Sequence, residues 1–288
     1  MAAAAPAGAL NRSFYYVRRP VGEVTAACYE LREEAMPVAG RGEIVCRTLY
    51  WSVDPYQRIQ QAASDSWEGP HPLGTVQGGG TVGVVVAVGD ALAAPRAMGD
   101  LVLGYGGWTE HFVARADATT LLAGALAAAP SRALGSLGMP ARTAYFGLLE
   151  AGRLRPSDTV VVSGAAGAVG CLVLQIARIH GSRVVGIAGS DAKCAWLRDE
   201  LGAHATINYK THSDVGAMRA ALAAAAPEGV DVCVAPRGDG GGARTAHGAP
   251  RAAPQVLRQH RRAHDGCNLG AGVRTRRAPR VCRRGHGR

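Results

Sequence analysis

Between Phe14 and about Leu122 the apolar residues come in short runs. EIVCRTLYWSV (43–53), GTVGVVVAVG (80–89), DLVLGYGGW (100–108) and HFVA (111–114) are separated by Gly, Asp and Pro. Frequent short strands with glycine turns predict a compact, barrel-like β domain. From about Ala123 the period changes. Residues 123–154 are rich in Ala and Leu and read as helical, broken at Met139-Pro140. Strand and helix patterns then alternate strictly. DTVVVSG (158–164) is a short β-branched run, the type of a buried parallel strand. In AVGCLVLQIARIHG (168–181), Val169, Leu172, Val173, Ile176 and Ile179 fall near helical spacing and Gly181 is a stop. SRVVGIAG is a second strand. SDAKCAWLRDELG is a helix capped by Ser190 or Asp191 and ended by Gly202. ATINY, SDVGAMRAALAAAA and GVDVCV continue the pattern as strand, helix and strand. Such alternation predicts a parallel, right-handed α/β sheet. Four strands are legible, in a dinucleotide-binding type of fold that ordinarily has six.

After Val234 the pattern stops. Residues 234–288 hold 13 Arg, two Asp and neither Lys nor Glu, a charge of +11. The other 233 residues balance 19 basic against 20 acidic side chains. The chain's +10 therefore belongs to its tail, and basicity does not make the patterned part a nucleic-acid or membrane binder. With no Phe, Tyr, Trp or Ile, the tail is expected to be disordered, because it cannot offset its ordering entropy by burial. The seven cysteines are scattered without a CxxC pair and read as reduced, cytoplasmic thiols. No window approaches the roughly 18 apolar residues of a membrane span. The Ala-rich start reads either as a frayed terminus or as a short targeting leader.

The strongest chemical signal is Gly164-Ala165-Ala166-Gly167-Ala168-Val169-Gly170, between the first parallel strand and its helix. Glycines there permit a tight turn and close approach of backbone to a pyrophosphate. The helix end supplies N–H groups and partial positive charge. About twenty residues on, where an NAD site usually has an acidic residue, the strand ends Ala188-Gly189-Ser190. Lys193 follows in the first helical turn, a position the helix dipole disfavours for a cation. A 2′-phosphate in the adjoining pocket explains it, and Tyr209-Lys210 ends the neighbouring strand. NADPH is preferred to NADH on this ground; the bland alternative is a solvated surface lysine. No metal site is expected. Residues 68–83 hold one histidine and no cysteine, and His260, His264 and Cys267 lack the residues that build a zinc finger. Tyr56, Arg58, Thr143 and Tyr145 could line a cleft or pack as aromatics at a domain interface.

VDPYQR, LGSLGMPARTAYFGLLEAGRLRPSDTVVVSGAAGAVG, QIARIHGSRVVGIAGSDAKCAWLRDELGAHATINYKT and PEGVDV resemble the zinc-free medium-chain dehydrogenases/reductases. The likeness runs from about Phe14 to Cys233, nearest to the branch of prostaglandin reductase, leukotriene 12-hydroxydehydrogenase and alkenal double-bond reductase. It implies an α/β chain: a disordered leader (1–13), a GroES-like β-barrel substrate domain (14–125), a truncated Rossmann NADP-binding domain (126–234) and the tail (235–288). It implies NADPH-dependent reduction of the C=C bond of an α,β-unsaturated ketone or aldehyde. Gly164, Ala166, Gly167, Ala168, Val169 and Gly170 would meet the pyrophosphate. Gly189, Ser190, Lys193 and Tyr209 would meet the 2′-phosphate side, Met139 and Thr143 the nicotinamide, and Tyr56 and Tyr105 the enone. The partner implied is a small enone or enal; monomer and homodimer stay open. A zinc-free quinone reductase is one alternative, and a non-catalytic fragment with a nucleic-acid-binding tail another. After Cys233 the chain departs from the family, which continues with an aromatic, Asp-Asn-Val-Gly-Gly and two more strand–helix units. A shifted reading frame or misassigned exon would produce this Arg/Gly/Ala/Pro vocabulary. Impaired turnover, and a fourth strand left poorly covered, are then expected.

Overall fold

A computed structural model of the protein describes residues 8–63, 69–235 and 255–258. The N-terminal half is β: β1 (Leu10–Tyr16), β2 (Tyr29–Ala35), β3 (Glu43–Trp51), β4 (Thr75–Val76), β5 (Thr81–Val88), β6 (Leu101–Gly104), β7 (His111–Arg115) and β8 (Thr120–Leu121). They form two antiparallel sheets, ordered β2-β1-β4 and β7-β3-β5-β6-β8. A bridge between Ser13 and Thr109, whose hydroxyls lie 2.7 Å apart, ties the sheets together. Alternation aims Ile44, Cys46, Val85, Val102 and Phe112 into one core. Burial there pushes the Cys46 thiol up to about 12, so it stays a small apolar group. β1 begins at Leu10, with Leu10–Ser13 paired to Arg32–Ala35, so these four residues belong to the sheet and not to a leader.

One short helix, α1 (Pro55–Gln60), interrupts the β half. Asp54 caps it, Pro55 opens it, and Gln57 closes a reciprocal capping box with Asp54. The segment after Ala123 is less continuous than its composition predicts. It contains α2 (Ala125–Ala128), a 3₁₀ turn at Pro130–Ala133, α3 (Met139–Tyr145) and a π-helical turn at Phe146–Ala151. Met139-Pro140 opens a helix and does not break one, because proline lacks only an N–H that the first turn leaves unpaired anyway.

The second half is a five-stranded sheet, β11-β10-β9-β12-β13. It is built from β9 (Thr159–Ser163), β10 (Arg183–Ala188), β11 (Ala205–Asn208), β12 (Val232–Ala235) and β13 (Gln255–Arg258). The first four strands are parallel and run in the order third-second-first-fourth, half of a doubly wound sheet. Val160 and Val162 point to one face, against Leu174 and Leu197; Val161 points to the other, against Leu222. Both faces are thus dry, and each valine contributes roughly 1.5–3 kcal/mol by burial. The covering helices are α4 (Gly170–Ile179) and α5 (Asp191–Asp199) on one face, α6 (Val215–Ala225) on the other. β13 pairs antiparallel with the outer edge of β12, so the edge expected to be poorly covered carries a strand. Most of the 235–288 tail, including His260, His264 and Cys267, lies outside the described residues. At the other edge, Val184 N–H donates to His204 Nδ1 (3.0 Å) and His204 N–H to the Val184 carbonyl (2.9 Å), extending the β10–β11 ladder by a side chain. Among the described residues, no helix is long and apolar enough to cross a membrane.

Candidate active site

The turn between β9 and α4 is built from backbone. Gly164 takes φ +61°, a conformation that costs glycine little. Ala165 N–H donates to the Ile187 carbonyl (3.0 Å), which anchors the turn to β10, and Gly167 N–H donates to the Gly164 carbonyl (2.9 Å). Ala166, Gly167 and Ala168 then lead through Val169 into α4. Gly170 is buried; a Cβ there would overlap the Gly164 carbonyl oxygen and come within 2.8 Å of Ala165 Cα. A side chain at 170 would push this turn apart, and the turn leads directly into the N-terminus of α4, the helix end that favours an anion.

The end of β10 assembles the second expected group. Ser190 caps α5, its Oγ accepting from Lys193 N–H (3.3 Å), which decides between the two capping candidates. Asp191 is the first helical residue, and its carboxylate accepts from Asn208 Nδ2 (2.8 Å). Tyr209 N–H donates to the Ala188 carbonyl (3.0 Å), and its ring lies over Gly189, where a Cβ would come within 2.7 Å of the phenol oxygen. Gly189, Ser190, Lys193 and Tyr209 are thus neighbours, with Lys193 and Tyr209 both exposed. A separate open cavity of about 390 Å³ lies beyond Asp191, between α5 and residues 206–212. It is lined by Cys194, Arg198, Thr206 and His212 among others, and by none of the expected cofactor residues.

Met139 and Thr143 lie one turn apart on α3. Ala144 and Leu148 pack this segment into the same core as Leu174 of α4, so it borders the helix that starts at the glycine turn. Tyr145 makes an edge-to-face contact with Phe146.

Tyr56 and Tyr105, 49 positions apart, are brought together with their hydroxyl oxygens 3.4 Å from each other. The separation is long for an O–H···O bond. Tyr105 is 59% exposed. Desolvation, with the bond to Tyr105 next, drives the Tyr56 phenol well above its ordinary range, so it stays protonated and able to donate. Arg58, on the same helix, instead donates to the Gly22 carbonyl (2.9 Å). Sequence reasoning missed Gln57 and the Gly78–Gly80 segment beneath the tyrosines. The spacing Asp54-x-x-Gln57 ahead of a helix was the available signal for Gln57. No group of three or more His, Cys, Asp and Glu among the described residues could hold a metal.

Two family models match the chain: an N-terminal domain of oxidoreductases over residues 12–122, and a zinc-binding dehydrogenase domain over residues 168–248. A Bacillus subtilis protein named NADP-dependent oxidoreductase YfmJ is 43% identical over 224 residues, 78% of this chain and 64% of its own length. Prostaglandin reductase 1 of Bos taurus is 40% identical over 216 residues, 73% of this chain and 60% of the relative. The crystal structure of CurA in complex with NADPH from Vibrio vulnificus superposes with a TM-score of 0.72 at 35% identity, over 80% of this chain and 66% of that one. The chain belongs to the medium-chain dehydrogenases/reductases, in the zinc-free branch of prostaglandin and enone reductases. It spans just under two thirds of the length of these relatives.

Proposed function

We propose that the protein is an NADPH-dependent reductase of the C=C bond of small α,β-unsaturated ketones and aldehydes. On this reading residues 14–125 form the substrate side and 126–234 the cofactor side. The observation that carries it is the Gly164–Gly170 turn, whose buried glycine brings backbone and the start of α4 close together, as a diphosphate seat requires. The residues present fit the cofactor. Ala166 to Val169 would receive the diphosphate. Lys193, in the first turn of α5, and the Tyr209 hydroxyl, whose ring lies over Gly189, would receive a 2′-phosphate. Met139 and Thr143 would border the nicotinamide. NADPH-bound CurA and the NADP-dependent name of YfmJ support the same choice.

When bound, the nicotinamide supplies a hydride to the β-carbon of the substrate. The chain's own task is to orient and to stabilise charge. Negative charge would develop on the carbonyl oxygen, and the Tyr56 hydroxyl, held protonated by burial, would donate to it with Tyr105 beside it. The long Tyr56–Tyr105 separation suits a pair that a third oxygen completes. Holding reactants near 3–3.5 Å supplies much of the remaining acceleration. The expected impairment of turnover rests on residues after Cys233, nearly all outside the described set.

The test is NADPH oxidation at 340 nm by the full chain with 4-phenylbut-3-en-2-one, with and without a chelator. Enone-dependent oxidation indifferent to the chelator is expected. Oxidation with a quinone but not with the enone would replace this reading by a quinone reductase, and no NADPH binding at all would end it.

A further inference from the structure

Gln57 is 4% exposed, and its side-chain amide is fully engaged. Nε2 donates to the Ser52 carbonyl (3.2 Å) and to the Gly78 carbonyl (2.9 Å), while Oε1 accepts from Asp54 N–H (3.0 Å). The amide thus joins the start of α1 to the loop segment Gly78–Gly80 between β4 and β5. Contact is close, because a Cβ at Gly79 would lie 2.6 Å from Nε2. That segment supports both tyrosines. A Cβ at Gly78 would meet the Tyr105 ring at 3.1 Å and its hydroxyl at 3.2 Å, and Gly80 N–H is directed at the Tyr56 hydroxyl. One buried amide therefore sets the floor under Tyr105 relative to the helix that carries Tyr56. An apolar side chain here would take one of two donors from each carbonyl, Gly78 O keeping Gln77 Nε2 (2.9 Å) and Ser52 O keeping Trp108 Nε1 (3.2 Å), and would remove the link between α1 and Gly78 and the acceptor of Asp54 N–H.

We propose that Gln57 is a positioning residue that sets the separation of the Tyr56 and Tyr105 hydroxyls, and through it the reduction step. The catalytic consequence rests on the function proposed above; the positioning itself does not. The experiment uses the full chain labelled with [ζ-¹³C]tyrosine, whose eight tyrosines are few enough to resolve. Tyr56→Phe and Tyr105→Phe assign the two signals. In Gln57→Met both signals should move while the others stay in place. In Gln57→Glu the protonated carboxyl restores one donated bond, so both signals should return toward wild-type positions as pH falls. Signals unmoved in both variants, or changes spread over all the tyrosines, overturn the inference; if Gln57→Met does not fold, the Gln57→Glu pH series decides it. Adding 4-phenylbut-3-en-2-one to the wild type separates the two ideas. Failure of the enone to move either signal sinks the substrate reading, while the spectra without enone still judge Gln57. With turnover measured, kcat in Gln57→Met should fall about tenfold with the KM for NADPH unchanged, as expected of a sub-ångström displacement.

Discussion

The glycine turn at 164–170 and the tyrosine pair at 56 and 105 are built in opposite ways. The turn is backbone, made from seven consecutive residues, and its geometry is enforced by what glycine lacks. The tyrosine pair is side chain, made from a short helix and a loop 49 positions apart, and a buried amide and three glycines hold it. A backbone site fails where main chain packs on main chain, since a Cβ at Gly170 must displace Gly164 and Ala165. A side-chain site tolerates shape changes but depends on each donor and acceptor in its support. The first should therefore fail abruptly on mutation and the second by degrees.

The largest effect is expected at the turn. Gly170→Val should abolish NADPH binding and remove several kcal/mol of stability, because the new carbons collide with the Gly164 carbonyl and Ala165. Calorimetry and NADPH titration check both, and a variant binding normally would show that the turn is not the cofactor seat. Next comes Tyr56→Phe, which should lower kcat about 10²-fold while leaving NADPH affinity unchanged, as removal of one donor to a developing oxyanion does. An unchanged kcat would assign the pair to packing. Lys193→Ala should weaken NADPH binding by roughly ten- to a hundredfold and NADH binding not at all, the range for a charge-assisted hydrogen bond. Equal losses for both carriers would move the 2′-phosphate elsewhere.

A smaller effect concerns pH. His204 has its proton affinity lowered by desolvation first, then by Arg183 and Arg178, and its Nδ1 accepts from Val184 N–H only when that nitrogen is unprotonated. The folded state thus binds fewer protons than the unfolded one. The contribution is fully present above the ordinary histidine value of about 6.5 and is lost as pH falls below it. His111, lowered by desolvation, acts in the same sense. Melting temperature should therefore drop between pH 7.5 and 5.5, and His204→Asn should shrink that drop. A larger drop in the variant would refute the assignment.

Legibility followed the same division. The alternating patterns of 158–234 were readable because each strand and each helix declares its period within a few residues, and the turn and its caps are contiguous. Composition misled where period was absent. Residues 123–154 read as helical and are so in pieces, short turns before α3 and its π-helical continuation, but Pro140 starts a helix where a break was expected. In the β half, α1 follows the apolar run 43–53 and is too short to declare a helical period, so it went unread, and Gln57 with it.

By itself the sequence determined the order of strands and helices over 158–234, the glycine turn, a capped α5 with Lys193 in its first turn, and the family. All of these depend on neighbours in the chain, whose interactions survive whatever the rest of the fold does. Only the tertiary structure decided that Tyr56 meets Tyr105, that Tyr209 covers Gly189, that Gln57 clamps Gly78, and that β13 lies on the edge of β12. Those contacts join residues many positions apart. Register, burial and crossing geometry choose them, and no local period records that choice.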